Sequence, residues 1–381
     1  MTSTSRSLAV DDSRSEPSRV LLARQRAGLT KSALAKMMAV TPRTIYEYES
    51  KGAPASALPE LAQALGCTEQ FLGRPGVEAL SADRVFFRAR RSATAAQRDA
   101  ATAAGALGIE LYEWIDKHFE LPRVDLPEID NSDPISAAAA VRALWALGLR
   151  PLPNLVQLAE SRGVRVLSLP PGSELVDAFS VWSGGRPYVF LSMAKTPERS
   201  RFDLAHELGH LMLHPGLPVA NNDIEREADR FASALLMPEG SLRSGFGREP
   251  SVNDVLRHKR YFGVSAMALN YALRQAGRLT EWGHRQNVVK LSQLGYRSGE
   301  PNGMPNHEKS RVFGTIFHGR EGRSRVIDAA TELGIPVTDI HALALGAALH
   351  TVAVDHHSGE GSPPQAAADR PALKLVRQGR A

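Results

Sequence analysis

The chain has 381 residues, of which 43% are hydrophobic and 23% charged, enough for two or three folded units and too apolar for wholesale disorder. A net charge of +5 with a pI near 9.4 permits nucleic-acid binding without requiring it. The single cysteine, Cys67, excludes a disulfide framework and any cysteine-built zinc site, so a bound metal would need histidines and carboxylates.

The opening stretch "MTSTSRSLAVDDSRSEPSR" is polar and has no apolar core, which argues against a signal peptide and for a disordered tail over residues 1–18. No run of about 18 apolar residues occurs, so no membrane span or membrane partner is expected and the default location is the cytoplasm. Residues 19–76 read as a run of short helices, with Gly28, Gly52 and Gly66 each just past an apolar-periodic stretch. Within it, "GLTKSALAKMMAVTPRTIYEYESKG" places Thr30 as the cap of a helix with Ala33, Leu34 and Met37 inward. "AVT" then turns the chain, and Thr41-Pro42 starts a second helix with Ile45 and Tyr48 toward the core and Arg43, Thr44, Tyr46 and Glu47 outward. This is a helix-turn-helix pattern whose second helix would read DNA, and the segment resembles the XRE, or lambda-repressor-like, family. Arg43 and Glu47 are candidates for base edges, since arginine suits guanine and a carboxylate accepts from cytosine. Lys31 and Ser32, at the start of the preceding helix, suit phosphate. Thr41, Thr44 and Tyr46 complete the expected DNA-binding set.

The stretch 77–133 is expected to be a helical linker. It has helical spacing through Leu107, Leu111, Trp114, Ile115 and Phe119, a basic cluster at Arg84, Arg88, Arg90 and Arg91 that reads as a solvated charge run, and a Pro/Asp-rich end. Residues 134–280 form the next expected unit. Two helices precede a short strand, "VRVLSL", and "AFSVWSGGRPYVFLS" reads as two strands joined at Gly184-Gly185. Trp114, Trp145 and Trp182 are expected in the core.

Thr196-Pro197 then opens a helix carrying "DLAHELGHLMLH". His206 and His210 are one turn apart and face the same way, so both imidazoles can bind one ion, and Glu207 beside them can deprotonate a water. A catalytic zinc usually has three protein ligands, so a third must come from elsewhere. "NNDIEREADRFASALLMP" supplies it: Ile224, Ala228, Phe231, Ala232 and Leu235 mark the buried face of a helix, and Glu225 lies nearer that face than its rival Glu227. Asp229, one turn from Glu225, is expected to orient a histidine. His214 is two turns from His206, too far along the axis to ligate, and reads as a polar cap before Pro215.

"RSRFDLAHELGHLMLH" followed by "EREADRFASALLMPEG" resembles the ImmA/IrrE family of zinc-dependent endopeptidases over roughly residues 137–277. The resemblance implies Zn2+ on His206, His210 and a glutamate of the second motif, Glu207 as general base, and helix-turn-helix repressors as substrates. An extended substrate would add as a strand to the hairpin, with "RPYVFLS" as the receiving edge. Residues 281–355 contain three further helical patterns without a recognisable catalytic motif, and 356–381 are expected to be a disordered tail.

The fold class expected is therefore mainly α with a small α+β peptidase domain: an N-terminal helix-turn-helix bundle, a zincin-like core with a short antiparallel sheet, and a helical C-terminal extension. The expected partners are double-stranded operator DNA, a protein substrate of the helix-turn-helix repressor class and a second copy of the chain. The competing expectation is a non-proteolytic XRE-type transcription factor or antitoxin whose peptidase fold only binds metal or ligand.

Overall fold

The computed structural model describes residues 14–77, 80, 86–89, 94–129, 133–171, 173, 176–215 and 222–345. Residues 1–13 and the expected tail at 356–381 lie outside them. The end of the expected N-terminal tail is folded: Ser15 is buried, its N–H donates to the Ala53 carbonyl at 2.9 Å, and its Oγ accepts from the Ala53 N–H at 2.8 Å.

The head contains α1 (Pro17–Arg26), α2 (Lys31–Met37), α3 (Pro42–Lys51), α4 (Leu58–Leu65) and α5 (Glu69–Leu72). Thr30 caps α2 by accepting from the Ala33 N–H, and Thr41 caps α3 by accepting from the Thr44 N–H, each satisfying a donor that a helix start leaves free. The inward face of α2 is Leu34, Ala35 and the following Met38, whereas Met37 is 56% exposed. Of the expected face Leu34 is buried and Met37 is not, because the positions that meet α3 and α4 begin at Leu34 and recur one turn later at Met38.

The stretch expected as a helical linker is structural core. It holds β1 (Phe86–Ala89) and α6 (Ala95–His118), the latter opened by a Thr94/Gln97 capping box. Arg88 therefore lies in a strand, while Arg84, Arg90 and Arg91 fall outside the described residues. Leu107, Leu111, Trp114, Ile115 and Phe119 are all buried. The helix binds the head through a buried ion pair, Arg19 to Glu110 at 2.5 Å, with the Arg19 guanidinium also over the Phe71 ring.

Beyond α6 come α7 (Pro134–Leu144), α8 (Leu155–Ser161), β2 (Arg165–Ser168), β3 (Val176–Ser183), β4 (Arg186–Leu191), α9 (Pro197–Leu213), α10 (Asn222–Leu236), α11 (Glu239–Gly245), α12 (Val252–Phe262) and α13 (Ala266–Gln275). Gly184 and Gly185 both have positive φ, 56° and 71°, which lets the β3–β4 hairpin close in two residues. Among the described residues the strands form one sheet in the order β1-β3-β4-β2. It is mixed rather than wholly antiparallel, since β2 runs parallel to β4 while β3 is antiparallel to both β1 and β4.

This order corrects the expected peptide-receiving edge. "RPYVFLS" forms β4, an inner strand with neighbours on both sides, and Pro187 to Leu191 are buried. A continuous apolar run is what a strand covered on both faces requires.

Helix α6 covers one face of the sheet, against the stacked rings of Phe179 and Phe190, 4.5 Å between centroids. A Cβ on Gly108 would stand 2.6 Å from the Phe190 ring, so the absence of a side chain there sets how closely the helix lies. Helix α9 covers the other face and packs in turn on α10, which leans on α7.

The C-terminal region holds four described helices rather than three: α14 (Glu281–Gln293), α15 (Arg311–Ile316), α16 (Gly319–Leu333) and α17 (Val337–Leu343). It grips the head, with the Thr68 N–H donating to the Gly334 carbonyl at 3.1 Å and Arg26 paired with Asp339. It also grips the sheet side through Glu160, which accepts from Ser310 Oγ and from the Arg311 and Val312 N–H groups at the start of α15.

Burial pushes the Glu160 carboxyl up to about 7, although the three hydrogen bonds oppose the shift. A carboxyl raised in the folded state is protonated there while the unfolded chain ionises, so its contribution falls as pH rises from the ordinary carboxylate range to about 7. Glu160→Gln should remove that slope. Denaturant titrations at pH 4.5 and 7 should show the variant gaining on the parent as pH rises, by on the order of 3 kcal/mol at most.

Candidate functional site

Helix α9 starts at Thr196, whose side chain accepts from the Arg199 N–H, with Pro197 as its first residue. From there it enters the interior, and Leu204, His206, Glu207, Leu208, His210 and Leu211 are all buried. A Cβ on Gly209 would lie 3.0 Å from the Phe231 ring and 3.4 Å from the Ala228 Cα, so this glycine lets α10 cross close to the two histidines.

At that crossing His206 Nε2 and His210 Nε2 face each other at 3.0 Å. Glu225, from the first turn of α10, lies across both: its Oε2 is 3.4 Å from His206 Nε2 and its Oε1 is 3.3 Å from His210 Nε2. The three residues offer ligand atoms that all lie within 4.8 Å of one another. Zinc bonds of 2.0–2.1 Å imply a spacing of about 3.3 Å between tetrahedral donors, so this set fits that ion. Its chemistry fits as well. Burial pushes His210 down to about 4, despite the hydrogen bond to Glu225, leaving a neutral imidazole at neutral pH. Burial opposes ionisation of Glu225, but hydrogen bonds from His206 and His210 outweigh it and hold the carboxyl well below its usual range.

Each imidazole is oriented from its far side. His206 Nδ1 contacts Asp229 Oδ1 at 2.9 Å. His210 Nδ1 meets His214 Nδ1 at 3.1 Å, and His214 Nε2 meets Glu227 Oε2 at 3.0 Å. His214 does occupy the cap position of α9, its N–H donating to the His210 carbonyl at 3.1 Å, but its buried side chain is a strut for a histidine rather than a polar end. Glu227, considered as a metal ligand, turns to that strut instead. Such fixing of a histidine by a second acceptor is how protein sites set tautomer and ring angle.

Glu207 is fully buried, and its Oε2 accepts from Ser180 Oγ at 2.6 Å, which ties α9 to the middle of β3. Ser180 carried no motif in the sequence, and only strand alternation in the hairpin could have pointed it at this helix. Trp182, expected in the core, is 38% exposed near the turn and donates from Nε1 to the Leu211 carbonyl, whereas Trp114 and Trp145 are buried.

In the head, Arg43, Thr41, Ser32 and Tyr46 are exposed, and Thr44 and Glu47 partly so. The Arg43 side chain is 87% exposed and reaches Glu47 at 3.3 Å, one turn on along the outer face of α3. Thr41 and Thr44 share a hydroxyl contact of 2.9 Å at the start of that helix. Lys31 is less available for phosphate than its position suggested: its ammonium is 3.2 Å from Glu49 and lies over the Tyr46 ring.

The family model described as an IrrE N-terminal-like domain, of the M78 peptidases, matches residues 159–274, and one described as helix-turn-helix matches residues 21–72. The chain fuses a helix-turn-helix domain to an IrrE N-terminal-like domain. The IrrE-like match runs from the end of α8 into α13 and encloses every donor described above, so this domain is of metallopeptidase type. The head is of a DNA-binding type. No curated protein matches the chain closely enough to extend either statement. No described helix is long and apolar enough to cross a membrane.

The two glutamates of α10 should separate in a metal titration. His206→Ala and Glu225→Ala should lose stoichiometric zinc by elemental analysis. Glu227→Ala and His214→Ala should retain it with affinity reduced by about 10–100-fold. Equal losses from Glu225→Ala and Glu227→Ala would contradict this division of roles.

Proposed function

We propose that this protein is a DNA-binding regulator whose IrrE-like domain is a zinc-dependent endopeptidase, cleaving a helix-turn-helix repressor, or itself, to control transcription in a stress, phage or mobile-element response. The observation that carries the reading is a buried carboxylate, Glu207, next to His206 on α9, beside a donor set of two histidines and a glutamate from the crossing helix. A site that only stored an ion would have no use for a second carboxylate buried next to its donors.

His206, His210 and Glu225 would hold the ion. Zinc so bound supplies a Lewis acid for the scissile carbonyl and an acidified water. Glu207 takes a proton from the attacking water and passes it to the leaving amine. Ser180 keeps the carboxylate in place by donating to Oε2, and Asp229 and the His214–Glu227 pair keep the two imidazoles from rotating.

The head would direct this activity, or its consequences, to an operator. Arg43 and Glu47 suit base edges. Ser32, Thr41, Thr44 and Tyr46 line the approach, and Lys31 meets phosphate only by yielding its contact with Glu49.

Glu207→Gln preserves size and removes the base. Zinc content and folding should stay near the parent while cleavage of a helix-turn-helix repressor substrate falls by about 10²–10⁴-fold. An unchanged transcriptional response in that variant would show that hydrolysis is not how the protein acts. Independently, Arg43→Ala should cost about 1–3 kcal/mol at one base pair and relax preference there, as measured by binding to a panel of operator variants. A uniform loss across all sequences would assign Arg43 to phosphate instead.

A further inference from the structure

Strand β1 occupies the position that an extended substrate would need. Without it the sheet would end at β3, an antiparallel strand with its outer N–H and C=O groups unpaired, which is the kind of edge that captures peptides. β1 fills that edge in antiparallel register, Phe86 opposite Ser180, Phe87 opposite Phe179 and Arg88 opposite Ala178. Ser180 is the residue that donates to Glu207. A backbone lying opposite Ser180 therefore runs beside the residue that holds the buried Glu207 carboxylate.

We infer that residues 86–89 are a built-in occupant of the peptide-binding edge of β3, which an extended protein substrate must displace before it can be cleaved. The inference rests on the proposed peptidase reading for what the edge is for, but not for the pairing itself. A tethered strand competes at the high effective concentration of an intramolecular ligand, on the order of millimolar for a short tether. The position of β1 in the chain gives this competition a meaning. It lies between the DNA-binding head and α6, with Leu80 seated against Gly105 on one side and the Thr94 cap on the other. Anything that draws on this stretch from the head acts on the edge of the strand that carries Ser180, the partner of Glu207. The substrate class follows too: a segment able to run antiparallel to β3 for at least three residues, recognised mainly through its backbone.

The test uses the full chain carrying Glu207→Gln, so that binding is read without turnover, and a fluorescent peptide of sequence RVFFRARR as the probe. Replacing residues 86–89 with Gly-Ser-Gly-Ser should tighten peptide binding by at least about tenfold relative to the same chain with its own strand. A second variant tests the opposite direction. Arg88→Cys with Ala178→Cys joins residues that face each other across the pair, at a spacing that a disulfide can span. Once oxidised it should bind the peptide at least about tenfold more weakly than the Gly-Ser chain, and loosening β1 further should become impossible until reductant is added. Equal binding by the parent and the Gly-Ser chain, including no binding by either, would overturn the inference. So would a disulfide-locked chain that binds as well as the Gly-Ser one. Neither result bears on zinc uptake or on cleavage by the chain with Glu207 intact, so failure here is distinct from failure of the peptidase reading.

Discussion

Helix α9 is buried along most of its length and yet carries Glu198, Arg201, Asp203, His206, Glu207 and His210 into the interior. A buried polar group without a partner costs about 1–3 kcal/mol, more when charged, so the surroundings of this helix must supply a partner for each. They do so from every side. Met304 caps Glu198 with its N–H; the carbonyls of Leu152 and Pro153 and the carboxylate of Glu308 hold Arg201; Lys195 and Arg199 hold Asp203. Toward the site, β3 supplies Ser180 for Glu207 and α10 supplies Asp229 and Glu225 for His206. The C-terminal region, which carries no catalytic motif, is thus part of what keeps α9 folded and aimed.

The same economy links the two functional regions. Helix α6 touches the head at the Arg19–Glu110 pair and the sheet at the Phe179–Phe190 stack, while α16 meets the head at Thr68. Contact alone does not make communication, which needs an element with two arrangements that both sites bias. On the inference drawn above, the pairing of β1 with β3 would be such an element, formed in the free chain and exchanged for a peptide when substrate binds. A regulator built this way would couple what the head binds to what the IrrE-like domain admits.

Much of this was legible in the sequence where the signal was local. The Thr196-Pro197 start, the histidine spacing, the apolar stripe of α10 and the glycine pair of the hairpin each depend on residues within a few positions of one another, and each has its counterpart in the structure. The face chosen for α10 put Glu225 rather than Glu227 toward the histidines, and the structure brings those three side chains together. What escaped depended on distant partners. Four residues beside an arginine run gave no strand signal for β1, because its partner lies some ninety positions on and the pairing is tertiary. His214 looked like a helix end, because Glu227 and the buried setting that make it a strut come from another helix. Lys31 looked free because Glu49 approaches it from the end of α3.

The central claim is that two imidazoles of α9 and one carboxylate of α10 hold a zinc ion within reach of Glu207. X-ray absorption at the zinc edge, on the full chain purified without chelators, tests it directly. The account predicts a first shell of nitrogen and oxygen at about 2.0–2.1 Å, with the outer-shell scattering of two histidines, four or five ligands in all and no sulfur. A shell of six oxygens without imidazole scattering, or one containing the Cys67 sulfur, would contradict it.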